Sequence, residues 1–127
     1  MEPEFDTLLA AAREVLHPRQ LSRNSWAGSV SAALLAADGK LYTGVCIDTP
    51  CSMGFCAEHA AAAAMVTAGE NRVLRLVALH ESGEVVPPCG RCREFLCQLH
   101  DDNGQCRVLL PGGRVKTLDE LLPDRWS

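Results

Sequence analysis

Residues 55–69 read FCAEHAAAAAMVTAG. From Ala57 to Ala68 the run is built of strong helix formers, and Gly69 stands where a helix closes. Apolar runs of strand length lie on either side, Leu41 to Ile47 before it and Val73 to His80 after it. Strand, helix and strand in that order form the unit from which α/β sheets are built.

Upstream, Gly28 to Ala37 and Leu41 to Ile47 flank Asp38-Gly39, the signature of a β-hairpin. Residues 48–55, with Pro50 and Gly54, read as a loop. Phe5, Leu8, Leu9, Ala12, Val15 and Leu16 recur at helical spacing and predict a helix over about 4–17, stopped by Pro18. Residues 21–24 read as a polar connection. Downstream, Glu81-Ser82-Gly83 is a turn and Pro87-Pro88 delays the next helix to Arg91–His100. Cys106 to Leu110 and Arg114 to Lys116 read as strands around a Pro111-Gly112-Gly113 turn. Thr117, with Glu120 three residues on, predicts a capping box that opens a short last helix. The order α-β-β-α-β-α-β-β-α predicts an α/β fold with helices on both faces of one five-stranded mixed sheet. No repeat or linker divides the chain, so residues 1–127 are expected to form a single domain.

The composition, 47% apolar and 22% charged, is that of an ordinary globular protein. A net charge of −4 with scattered basic residues gives no footprint for nucleic acid, and none is expected as a partner. No run of 18 apolar residues predicts a membrane helix. Glu2, Glu4 and Asp6 have the wrong sign for a signal peptide, so a cytoplasmic location is expected. In that setting seven cysteines point to metal or redox chemistry rather than disulfides.

Three of those cysteines are placed for chemistry. Cys89 and Cys92, in Pro87-Pro88-Cys89-Gly90-Arg91-Cys92-Arg93, share one helix face, and Cys56 stands at the start of the Ala-rich helix. Helix N-termini favour thiolates. Three thiolates can hold Zn²⁺ and leave its fourth position open to water. Glu58, in the first turn, is the candidate proton shuttle, and Ala57 offers a spare backbone N–H. That set suits addition to an amidine-like carbon with loss of ammonia. Spacing alone also admits a closed structural zinc site with Cys51 as fourth ligand, or a redox Cys-x-x-Cys. Cys51, Cys97 and Cys106 read as buried small hydrophobes.

Cys56-x-Glu58 followed by Pro88-Cys89-Gly90-Arg91-Cys92 resembles the zinc deaminase signature. The Cys first ligand and the short chain are similar to the homotetrameric cytidine deaminases and blasticidin-S deaminase. Val30 to Leu34, Asp38-Gly39, Thr43-Gly44-Val45 and Glu120 to Pro123 follow the same family order, so the resemblance covers nearly the whole chain. It implies a three-layer α/β/α sandwich, a homotetramer or dimer, and one zinc per subunit on Cys56, Cys89 and Cys92. It also implies Glu58 as proton shuttle and a small aminopyrimidine as substrate. Cytidine or deoxycytidine is the first expectation, and blasticidin S or a free or modified cytosine base the alternative. A non-catalytic zinc-stabilised protein is the reading from a different class.

The chain departs from that family where the substrate is expected to bind. Cytidine deaminases carry an Asn-x-Glu pair in the second strand, resembling a clamp for ribose hydroxyls; here the matching residues are Cys46 and Asp48. Gly28 stands at a position usually aromatic, and Trp126 is the terminal aromatic that the resemblance would have close the pocket. His59 replaces an Arg common in the tetrameric enzymes and, with Arg93, is the candidate to support the thiolates from behind.

Overall fold

In a computed structural model describing residues 2–127 the chain runs α1 (Pro3–Glu14), β1 (Arg19–Ser22), β2 (Ser25–Ala36), β3 (Leu41–Asp48) and α2 (Ala57–Thr67). It continues through β4 (Val73–His80), β5 (Val85–Val86), α3 (Gly90–Leu99), β6 (Arg107–Leu109), β7 (Val115–Thr117) and α4 (Leu118–Leu121). Met1, the first residue of the expected domain, lies outside the described residues. The Asp38-Gly39 hairpin forms as expected. Gly39 takes φ +83°, a conformation open to glycine, and Asp38 Oδ1 accepts from the Lys40 amide at 3.0 Å.

Among the described residues the sheet holds seven strands, not five. β2 carries β3 along one side, while β1 and β4 share its other side. β4 in turn carries β5 and β6 along its far side, and β7 closes the sheet on β6. The five expected strands are therefore the through-sheet order β3-β2-β4-β6-β7, and β1 and β5 are short additions. Both were hidden in the sequence for a physical reason. β1 is exposed along all four residues and β5 has only two, so neither shows the alternation that burial imposes. β4 and β6 are parallel, and the other pairings are antiparallel.

Alternation along the strands sorts the apolar side chains into two cores. Ala33, Val77, Leu79 and Leu109 pack on one face against Phe5, Leu8, Leu9 and Ala12 of α1. Ala32, Leu34, Leu76, Ala78 and Val108 pack on the other against Ala61 and Met65 of α2, Leu96 of α3 and Leu118 of α4. The result is the three-layer α/β/α arrangement. α1 ends at Glu14 rather than near residue 17, because the residue before Pro18 is held out of the helical region. Glu2, just ahead of α1, accepts from Arg75 Nε and Arg107 Nε at 2.7 Å each and ties the helix start to β4 and β6.

Two local features set the position of the site. α2 lies so close to β3 that a Cβ on Gly44 would fall 2.8 Å from the Ala57 carbonyl oxygen and 2.6 Å from the Ala60 Cβ. At the far end, Thr117 and Glu120 make the expected capping box: Thr117 Oγ1 accepts from the Glu120 amide at 3.2 Å, and Glu120 Oε1 accepts from the Thr117 amide at 3.0 Å. α4 is thereby fixed beside α3.

Candidate active site

Two helix starts meet at the thiols. Cys56 is the N-cap of α2 and Cys89 the N-cap of α3, both with extended backbone, and Cys92 lies in the first turn of α3. Pro87-Pro88 keeps α3 from starting earlier, so Cys89 falls at the cap rather than within the helix. The Sγ atoms of Cys56 and Cys89 are 3.7 Å apart, those of Cys89 and Cys92 are 3.4 Å apart, and all three lie within 4.8 Å of one another. With Zn–S bonds of about 2.3 Å, the edge of a tetrahedron is about 3.8 Å, so the cluster fits a zinc ion with little movement. Cys51 is exposed and not part of the cluster, which leaves three thiols rather than the four of a closed structural site.

The surroundings treat the thiols differently. Burial pushes Cys56 and Cys92 up from the ordinary thiol range. Burial acts on Cys89 too, but the Cys92 backbone N–H and the neighbouring thiols outweigh it and bring Cys89 below the usual value. One thiol of the three is thus poised to ionise first, and a metal would bring the others with it.

Glu58 is only 4% exposed. Burial drives its carboxyl upward, partly offset by its own backbone N–H and by the Cys92 thiol. It lines an open cavity of about 460 Å³ together with Ala57, Cys56 and Cys89. Cys46 and Asp48 of β3 line the same cavity. His59 lies behind the thiols: its Nδ1 is 3.3 Å from Cys92 Sγ, and its ring stacks on Phe95 with centroids 4.1 Å apart. Arg93 spends its donors elsewhere. Nε donates to the Pro88 carbonyl at 2.8 Å and Nη1 to the Leu121 carbonyl at 2.9 Å, bracing the loop before Cys89 against α4.

Three further residues lie apart from their expected places. Gly28 is not among the residues lining the cavity. It takes φ +84° and packs so closely that a Cβ would meet the His17 carbonyl oxygen at 2.5 Å, so it serves the chain crossing beneath it. Trp126 does not close this cavity either: it is 88% exposed, with its amide donating to Glu94 Oε1 at 3.0 Å. Cys51 is exposed rather than buried, because it sits at φ +61° in the single 3₁₀ turn Pro50–Ser52 between β3 and α2; Cys97 and Cys106 are buried.

The cavity also gathers residues that the sequence did not single out for it, among them Ser29, Ser52 and Arg91. Ser29 arrives through a break in the β2–β3 register between Ala27 and Ser31, a bulge that re-aims side chains. Gly28, with its positive φ, was the one signal of that bulge.

No family model matches the chain. A cytidine deaminase of Mycobacterium tuberculosis is 35% identical over 101 residues, covering 78% of this chain and 73% of the relative. One from Sporosarcina psychrophila is 35% identical over 103 residues, 77% of this chain and 74% of its own. The crystal structure of the M. tuberculosis cytidine deaminase superposes with a TM-score of 0.82 at 28% identity, over 99% of both chains. Sequence and fold agree over the whole region that carries the thiols and Glu58, and the chain belongs to the cytidine deaminase family.

Proposed function

We propose that this protein is a zinc-dependent hydrolase that removes the exocyclic amine of cytidine or deoxycytidine, giving the uracil nucleoside and ammonia. The observation that carries this reading is a buried Glu58 carboxyl beside a three-thiol cluster in one open cavity. Cys56, Cys89 and Cys92 are the residues that would hold zinc, which supplies a Lewis acid and makes water nucleophilic near neutral pH.

Glu58 moves the protons. Its raised pKa leaves a proton on the carboxyl to higher pH than on an exposed glutamate, so it can protonate the ring nitrogen next to the reacting carbon. The carboxylate so formed takes both protons of the attacking water in turn, passing one to the departing amine and keeping the other, which restores its starting state. The ring carbon gains oxygen and loses nitrogen, and one water is consumed for each ammonia released. The Ala57 N–H, a first-turn donor without an intrahelical partner, is suited to hold the ring's carbonyl oxygen. His59 orients Cys92 and supports its charge, and Arg93 holds the Pro88-Cys89 segment in place.

We further infer a homotetramer in the cytoplasm. Trp26 and Phe55, 48% and 38% exposed, pair with Asp48 and Ile47 on neighbouring strand positions, and Met53 beside them is 76% exposed. These exposed apolar side chains, of which Phe55 lines the cavity, favour burial against another copy. Three cysteines gathered as candidate metal ligands fit a reducing compartment.

The test is loss of ultraviolet absorbance with cytidine, deoxycytidine, cytosine and blasticidin S, in wild type and Glu58→Ala. Nucleoside turnover abolished in Glu58→Ala supports the reading, and turnover that survives the substitution overturns it. Light scattering on the eluted protein reads the subunit number.

A further inference from the structure

The spacing of Cys89 and Cys92 is set within α3 alone. The Arg93 amide donates to the Cys89 carbonyl at 3.0 Å and closes the first turn, and Arg93 Nε donates to the Pro88 carbonyl at 2.8 Å and holds the residue before it. The two sulfurs are thereby kept 3.4 Å apart at one helix start. Cys56, whose sulfur is 3.7 Å from that of Cys89, is carried by α2, so that separation depends on how two helices dock. Access divides the α3 pair as well. Cys89 is exposed and lines the cavity, whereas Cys92 is fully buried. An accessible thiol with a shielded thiol against it is the arrangement through which disulfides exchange, the outer sulfur attacking and the inner one resolving.

We propose that Cys89 and Cys92 form a redox gate on metal loading: a small-molecule disulfide such as oxidised glutathione closes them into a disulfide that excludes zinc, and a thiol reductant reopens the site. The inference rests on the zinc reading of the cluster given above and is independent of which amine the enzyme removes. Cys89 Sγ attacks one sulfur of the small disulfide, breaks its S–S bond and releases the first small thiol. Cys92 Sγ then attacks the Cys89 sulfur of the mixed disulfide and releases the second. Two protein thiols are oxidised by two electrons, the small disulfide is reduced to two thiols, and the two protein protons leave on them. Cys56 then stands alone, and a single thiolate does not make the three-thiolate site. With both α3 sulfurs engaged by a metal the exchange is blocked, so metal and disulfide exclude each other.

The test uses wild type and Cys51→Ser, in which the exposed thiol outside the cluster takes no part. Each is stripped of metal, reduced and treated with oxidised glutathione beside a zinc-loaded sample. Trypsin cuts after Arg91, between the two cysteines, so a Cys89–Cys92 disulfide keeps the dipeptide Cys92-Arg93 on the peptide that ends at Arg91. A Cys56–Cys89 disulfide would instead join that peptide to residues 41–72. The expected result is one Cys89–Cys92 disulfide per subunit, loss of zinc uptake, and recovery of zinc uptake with dithiothreitol. The zinc-loaded protein should keep its thiols over the same period, and Cys92→Ser should stall with glutathione held on Cys89. If the reduced protein takes up no zinc, the zinc reading fails and the gate fails with it. If the reduced protein binds zinc, the gate alone is overturned by a disulfide to Cys56, by cluster thiols that stay reduced, or by equal oxidation with and without zinc.

Discussion

Nδ1 of His59 lies 3.3 Å from Sγ of Cys92. The imidazole is clamped in that position by Phe95, whose ring stacks on it at an interplanar angle of 11°. Three thiolates on a divalent zinc leave a net negative charge, and an N–H donated to one sulfur draws some of it away. His59→Ala is therefore expected to weaken zinc retention about tenfold to a hundredfold, measured by competition against a chelator. His59→Asn, which can still donate, should lose less. Equal retention in wild type and His59→Ala would show that the contact is packing alone.

Glu58 makes a prediction about pH in the metal-free protein. Burial raises its folded-state pKa above the ordinary value of 4.5, so between those two values the native state binds more protons than the unfolded state. The sign is that stability falls as pH rises through that window. Glu58→Gln removes the buried charge while keeping the shape. Chelator-treated Glu58→Gln should resist urea better than wild type at pH 8, and the difference should vanish below about pH 4.5, where both states are protonated. A constant difference across the range would mean that the carboxyl is not buried in solution.

Asn103 joins three segments through one fully buried amide. Its Oδ1 accepts from the Val73 amide at 2.8 Å, and its Nδ2 donates to the carbonyls of Asn71 and Leu96 at 3.0 and 2.9 Å. Asn103→Leu strands those backbone groups in the interior, at a cost of about 2 to 4 kcal/mol. Because Leu96 belongs to the helix that carries Cys92, thermal unfolding and zinc content should fall together. A shift of less than about 0.5 kcal/mol in urea unfolding would contradict the bond set.

The sequence revealed what periodicity and turn chemistry encode. The hairpin at Asp38-Gly39, the Ala-rich helix behind Cys56 and the Thr117–Glu120 capping box are each local, and each forms where the local residues place it. The thiol cluster was also legible, since helix starts at Cys56 and Pro88-Cys89 put the charges where helix dipoles favour them. The Ser29 and Ser52 side of the cavity was not. Ser29 reaches the cavity through a bulge, and the Cys51-Ser52 loop adopts positive φ at two successive non-glycine residues. Both depend on contacts between strands and loops distant in sequence, for which a residue pattern carries no signal. Trp126 shows the converse, an aromatic whose position in the chain suggested a lid but whose backbone is held on α3 by Glu94.

Gly44 offers a test of how the fold holds the site. It lies on β3 beneath the first turns of α2, where the Ala57 carbonyl and the Ala60 methyl occupy the space a side chain would need. The α2 backbone that approaches Gly44 also carries Cys56 and Glu58, so the distance between helix and strand sets where these two stand against Cys46 and Asp48 of β3 and against the two thiols of α3. Gly44→Ala must lift α2 or bend β3, with an expected loss of about 1 to 3 kcal/mol from overpacking. If α2 lifts as a unit, Cys56 is drawn away from Cys89 and Cys92 of α3, so zinc content and nucleoside turnover should fall together. The check is to measure urea unfolding, zinc per subunit and kcat/KM on the same preparation. A variant with wild-type stability, zinc content and turnover would show that the helix does not sit this close in solution.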